Sequence, residues 1–160
     1  MNSLVFRDAG PEDADLILDY IRELAEFERL SQECVVDTAL LRRFLFKDKR
    51  AQAIMAEWDG APAGFALYFY NFSTFLGRPG LYLEDLFVRP AFRRRGIAKS
   101  LFQALARKAV AEECGRFEWS VLDWNVNAIA FYRGLGAVPM EEWTTQRLSG
   151  EALRRLAEEN

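Results

Sequence analysis

The chain has no histidine. That removes the side chain most often used as a general base and as a metal ligand near neutral pH. Any proton transfer then falls to Asp, Glu, Tyr, Cys, Lys, water or the substrate itself. Only two cysteines are present, Cys34 and Cys114. Two distant thiols are not a disulfide framework, and without histidine they do not suggest zinc, so no metal is expected and a reducing, cytoplasmic setting suits them. A cysteine nucleophile has little support for the same reason. No apolar run approaches 18 residues, and the amino terminus lacks a basic-then-apolar leader, so neither membrane spanning nor export is expected. A basic excess is missing too. The net charge is -3, which argues against a general nucleic-acid binder. Neither G-x-x-x-x-G-K-[ST] nor G-x-G-x-x-G occurs, which sets aside two familiar phosphate motifs.

What is present reads as one domain over residues 1–160. Hydrophobic residues make up 51% of the chain, enough for a sizeable core. Residues 3–7 suggest a short strand. Pro11 and the acids Glu12, Asp13 and Asp15 suit a helix start, and Leu16, Tyr20, Leu24 and Phe27 continue it to about 29. Asp37 is placed to cap a second helix carrying Leu40, Leu41, Phe44 and Leu45, followed by a solvated turn at 47–50. Strands over 51–58 and 62–71 flank the hairpin signal Asp59-Gly60. Gly77-Arg78-Pro79-Gly80 reads as a break, and 81–88 as a central strand ended by Pro90. Ile97, Leu101, Leu105 and Ala109 line a long helix, 117–122 is strand-like, and Asn125 or Asn127 caps a further helix. A last strand near 143–148 and a terminal helix from Ser149 close the chain. The pattern implies an α+β fold, a sheet with helices on both faces.

The richest stretch is Arg93-Arg94-Arg95-Gly96-Ile97-Ala98. A glycine turn between a strand and a helix exposes backbone N–H groups at the helix start, and arginines surround it. The expected ligand is large, anionic and phosphate-bearing, with donors from Arg94 to Lys99 around a pyrophosphate. A plain turn flanked by solvated arginines explains the motif equally well when it is taken alone.

At this point the chain resembles the GCN5-related N-acetyltransferase superfamily, whose signature is [QR]-x-x-G-x-[GA] after a strand ending in an apolar residue and proline. Arg93, Gly96 and Ala98 match, preceded by Val88-Arg89-Pro90. A second segment matches at Asn125, Asn127 and Ala128, Ala130-Phe131-Tyr132 and Leu135-Gly136-Ala137. Leu81 to Val88, Leu24 to Glu28, Asp123-Trp124-Asn125 and Glu141-Glu142-Trp143 further resemble the diamine (spermidine/spermine) acetyltransferase branch. The resemblance implies a three-layer fold with a mixed, mostly antiparallel central sheet flanked by helices. It also implies acetyl-CoA as acetyl donor, a small cationic amine as acceptor, and a homodimer.

The resemblance implies a bulge near Glu84 or Asp85, with the pantetheine arm against backbone near Phe87 and Val88 and a backbone N–H near Leu86 on the thioester carbonyl. Such a donor stabilises developing oxyanion charge. The amine must lose a proton before attack. Glu84 is the first choice of acceptor, directly or through water; Asp85 is the alternative base or an anchor for the substrate cation. Alternation places the two on opposite faces, and a bulge breaks that rule, so the sequence leaves the choice open. Tyr132 is the candidate acid for the departing thiolate, or else a helix tyrosine reaching water. Asn125 either donates to the cofactor or caps its helix. Glu28 and Glu33, with Tyr20 or Trp143, are expected to line a cationic acceptor channel.

The leading expectation is thus acetyl transfer to a diamine, polyamine or lysine analogue. A protein or peptide N-acetyltransferase would keep the mechanism but show an open acceptor surface. A non-catalytic acyl-CoA-binding regulatory module would bind without turnover.

Overall fold

The computed structural model describes residues 3–159. Its contacts divide the chain into two compact units, Met1–Leu122 and Asp123–Asn160, where the sequence reads as one domain.

In the first unit, β1 (Leu4–Asp8) enters α1 (Ala14–Phe27) through a 3-10 turn at Pro11–Asp13. A half-buried ion pair fixes that corner. Arg7 donates through two nitrogens to both oxygens of Asp13 at 2.8 Å, and Gly10 N adds a bond of 2.8 Å. The guanidinium holds the Asp13 carboxyl below its ordinary value. α2 (Thr38–Leu41) starts where expected, with Asp37 accepting from Leu40 N at 2.8 Å. It then widens into a π-helical stretch, Arg42–Lys47, so Lys47 closes a helix rather than opening a turn.

β2 (Gln52–Trp58), β3 (Ala61–Ser73), β4 (Arg78–Val88) and β5 (Arg116–Trp119) complete a sheet of order β1-β2-β3-β4-β5. All neighbours run antiparallel except β4 and β5, which are parallel. Asp59 and Gly60 turn the β2–β3 hairpin with φ of 51° and 81°, as two-residue hairpins require. The break expected at 77–80 falls earlier: the turn occupies 74–77, and Pro79 and Gly80 lie inside β4. Pro79 is tolerated because its carbonyl faces the β5 side, where it accepts from Gly115 N at 2.9 Å. The missing N–H faces that side too, ahead of the start of β5, so no ladder bond is lost.

The core between α1 and the sheet centres on Tyr20, stacked on Phe65 at 5.2 Å, with Ile17, Met55, Leu67 and Phe87 around it. α3 (Ile97–Ala111) buries Ile97, Leu101, Phe102, Leu105 and Ala109, the predicted stripe plus Phe102. Each fully buried aliphatic or Phe side chain contributes about 1.5–3 kcal/mol.

The second unit holds α4 (Val126–Gly134) and α5 (Gly150–Glu158). The strand expected at 143–148 does not form. Its two apolar residues, Trp143 and Leu148, are five apart and would point to opposite faces of a strand. No single face gains by burial, and both side chains are exposed.

Candidate active site

β4 changes character at Glu84. Tyr68 pairs with Leu83 and Leu67 with Asp85, so Glu84 is the extra residue of a bulge. Paired residues share a face. Leu83 therefore lies with Tyr68, and Asp85 lies with Leu67 on the opposite face, where Leu67 and Phe87 pack beneath α1. The bulge thus swings an acid onto an apolar face while leaving Glu84 exposed. Burial, and then the negative charges of Glu84 and Glu28, push the Asp85 carboxyl up to about 7. A carboxylate poised there is matched to accepting a proton at neutral pH. Of the two candidate acids, Asp85 is thus the half-buried one on the α1 face and Glu84 the exposed one.

The same bulge opens the sheet. Arg89 N donates to Ala63 O at 2.9 Å. Alternation then directs the amides of Phe87 and Arg89 at β3, and those of Leu86 and Val88 at the other side. On that side β5 pairs with β4 only from Gly80 to Leu83. Leu86 and Val88 are thus the outward-facing residues. The backbone of Phe87 is engaged with β3 and its ring is buried at 5% exposure, so it does not share that role. Gly64 allows this packing: a Cβ there would collide with the Phe87 carbonyl oxygen. Its presence in an otherwise apolar strand was a readable sign of close backbone approach.

Pro90 ends β4, and a 3-10 turn, Pro90–Phe92, carries the chain to the anion turn. Arg94 and Gly96 both take left-handed backbone, with φ of 62° and 75°. Gly96 caps α3, and no atom lies within 4 Å of where its Cβ would stand. The first amide to bond back into the helix is that of Ser100, to Gly96 O at 3.0 Å. Among the described residues, the amides of Arg94 through Lys99 find no backbone acceptor. Six amides at the positive end of a 15-residue helix make an anion cradle.

The arginines divide. Arg93 Nε donates to Val88 O at 3.1 Å, and its guanidinium sits over Phe27 at 5.3 Å and Phe87 at 5.9 Å. Arg95 lies over Trp58 at 5.1 Å and donates to Ala91 O. Both side chains thus lean on the protein's own rings and carbonyls. Arg93, Arg94, Arg95 and Lys99 are all exposed, Ile97 is buried and offers only its amide, and Ala98 is half-buried. Phe27, the platform for Arg93, was marked in the sequence by its helical spacing and by the family-like segment Leu24 to Glu28, neither of which points to Arg93. The unpaired amides, the open space at Gly96 and the open edge of β4 fit the expected acetyl-CoA.

On the acceptor side, Glu28 caps α1 and is half-buried, with burial raising its carboxyl. Its charge bears on Asp85. Glu33 is exposed on a 3-10 turn. Tyr20 is fully buried in the core, so it lines no channel. Asn125, Tyr132 and Trp143 belong to the second unit. There Asn125 Oδ1 accepts from Ala128 N at 3.3 Å, the capping role. Tyr132 is half-buried beside Phe131 with ring centroids 5.8 Å apart, and Trp143 is 76% exposed.

Comparison with known proteins agrees with this geometry. The chain is 40% identical over 152 residues to a thialysine N-epsilon-acetyltransferase of Caenorhabditis elegans, covering 93% of this chain and 94% of that protein. It is 48% identical over 98 residues to an L-ornithine N5-acetyltransferase of Arabidopsis thaliana, a match spanning 61% of this chain and 43% of that protein. Among solved structures, an integron cassette protein from the mobile metagenome of V. cholerae superposes with a TM-score of 0.82 at 25% identity, covering 98% and 99% of the two chains. The model of the Acetyltransferase (GNAT) family matches residues 18–137. The chain belongs to that family, whose members move an acetyl group from acetyl-CoA to an amine.

Proposed function

We propose that this enzyme acetylates the terminal primary amine of a small basic amino acid of the lysine-analogue type. The observation that carries the reading is the bulge-borne acid Asp85, raised to about 7 beside Glu84 and Glu28. Three carboxyl groups on one side of the sheet draw in an alkylammonium, and the one nearest neutrality takes its proton. The thialysine and ornithine acetyltransferases support the amino-acid acceptor, because each name specifies a side-chain amine on an α-amino acid. A diamine or polyamine offers the same amine without the carboxylate, and is the second acceptor class.

Acetyl-CoA, when bound, supplies an activated acyl carbonyl. The chain does the rest. The amides of Arg94 to Lys99 hold the diphosphate, with Arg94 and Lys99 adding charge. The outward amide of Leu86 donates to the carbonyl oxygen as it gains negative charge, an interaction worth about 2.7–4 kcal/mol in comparable sites. Asp85 accepts the ammonium proton, leaving a neutral nucleophile. Glu84 and Glu28 hold the cation and keep Asp85 basic enough for that step. Tyr132, from its place in the second family segment, is proposed to return a proton to the departing thiolate.

A panel of thialysine, lysine, ornithine, putrescine and spermidine, compared by kcat/KM, tests the acceptor. Thialysine or ornithine should lead. Preference for spermidine or putrescine by tenfold or more would transfer the assignment to polyamines. Acetyl-CoA binding with no turnover on any amine would leave only a binding module.

A further inference from the structure

The face of the sheet that holds Asp85 continues past it. Leu67 pairs with Asp85, so Phe69, two residues along β3, shares their face. Phe69 pairs with Tyr82, and their rings lie 5.2 Å apart. Tyr82 is paired in turn with Glu118 of β5. In the next row Asn71, Gly80 and Arg116 are neighbours. The facing of β5 is fixed independently. Phe117 and Trp119 pack on Phe102 of α3, at 5.9 Å and 4.8 Å, so Arg116 and Glu118 point to the opposite face, that of Asp85. Phe69, Tyr82, Glu118 and Arg116 are all half-buried there, beyond the residues that pack beneath α1.

Arg116 and Glu118 form a pair of opposite charges, with Nε 2.9 Å from Oε1. Gly80 lets that pair lie low on the sheet. A Cβ there would collide with Asn71 Oδ1 and crowd the Arg116 side chain, so the glycine inside β4 marks a close approach. Arg116 Nη2 donates to Phe72 O at 3.2 Å, while Nη1 bonds to nothing among the described residues. Asn71 Oδ1 is buried and receives no hydrogen bond from them either. The row therefore offers a guanidinium with a spare donor, a carboxylate and a spare acceptor.

Spacing relates this row to Asp85. Two residues along a strand advance about 6.8 Å, and neighbouring strands lie about 4.8 Å apart. Glu118, one row along and one strand across, is thus about 8 Å from Asp85 at the backbone. An extended lysine-type side chain holds its α-ammonium about 7 Å from its terminal nitrogen.

We propose that Arg116 and Glu118 read the zwitterionic head of an α-amino-acid acceptor. This rests on the acetyl-transfer reading above and sharpens it. With the terminal amine at Asp85, the carbon chain lies over the Phe69 and Tyr82 rings, the α-ammonium meets Glu118, and the α-carboxylate meets Arg116. Charge decides the class. A diamine brings a second ammonium to a pair whose own charges cancel and gives Arg116 nothing, whereas a zwitterion answers each charge with its opposite. Both residues determine specificity, and neither touches the reacting atoms.

Thialysine and bis(2-aminoethyl) sulfide differ only in the carboxylate, so they test the head directly. The parent should favour thialysine by at least about tenfold in kcat/KM. Arg116→Gln should cut that preference to within about twofold, through the acceptor KM, with the KM for acetyl-CoA unchanged. That variant leaves Glu118 without its partner, so Arg116→Gln/Glu118→Gln is measured beside it. The double variant should show the same lost preference while acetylating the sulfide with a kcat within about threefold of the parent, which a damaged fold would not allow. Masking the α-ammonium, as in Nα-acetylthialysine, should cost the parent about tenfold and Glu118→Gln little. No preference in the parent, or an undiminished one in either Arg116 variant, would overturn the proposal and leave acetyl transfer standing. No turnover of any amine by the parent would overturn the transfer reading, and this one with it.

Discussion

The two halves of β4 share a strand and little else. From Gly80 to Leu83 the chain has a neighbour on each side, and Leu81 and Leu83 are almost wholly buried. From Asp85 to Val88 it keeps β3 and loses β5, and it presents an acid and two outward amides. The first half is held by packing and the second is available for chemistry. One extra residue, Glu84, separates them. A working surface can therefore be made from a core strand by changing its register, without any loop.

Substitutions on either side of that residue should behave as opposites. The largest effect is expected for Asp85→Asn, which should lower kcat/KM by about 100-fold or more. In the parent enzyme kcat/KM should rise with pH through about 7 as Asp85 ionises, and steady-state pH profiles should show that limb vanish in the variant. Its stability should move the other way. A carboxyl lifted from about 4 when unfolded penalises the fold as pH rises toward its folded value, and most above it. Asp85→Asn should thus stabilise the protein at pH 8, on the order of 1–3 kcal/mol by thermal or urea melting, with no gain below pH ~4. A variant that is both inactive and destabilised would erase the contrast between the halves.

Leu81→Ala is the mirror experiment. Its side chain is fully buried, so denaturant melts should show a loss of about 2–5 kcal/mol, while kcat of the folded enzyme should hold at low temperature. Next comes Gly96→Val. The left-handed backbone strains a branched residue, and its side chain would enter the cradle. The KM for acetyl-CoA should rise about tenfold, some 1–2 kcal/mol, with the acceptor KM little changed. The smallest effect sharpens the electrostatics. Glu28→Gln removes one of the charges that raise Asp85, so the acid limb should shift down by about half a pH unit. An upward shift would mean that Glu28 does not act on Asp85.

Much of this was legible in the sequence, for reasons that can be named. The α3 stripe, the Asp59-Gly60 hairpin, the Asp37 and Asn125 caps and the glycine turn are local signals, complete within a few residues. The bulge near Glu84 or Asp85 was implied by the family resemblance, and it is present. Which acid it buried was hidden, because facing depends on the register with Leu67 and Tyr68, about 17 residues earlier. The use of Arg93 was hidden likewise, since its partner Phe27 comes from another element. Pro79 misled because a missing donor matters only on the side where a neighbour needs it. The segment 143–148 misled because its β-prone residues share no apolar face.

The bulge also makes the length of β4 a constraint in its own right. Removing codon 84 would keep Asp85 opposite Leu67 and facing α1 but would erase the bulge that bends the strand where it parts from β5, however well the remaining letters were preserved. Any side chain at that position can be exchanged more cheaply than the position itself can be lost. Indels in this strand should therefore be rarer than point changes wherever acetyl transfer is under selection.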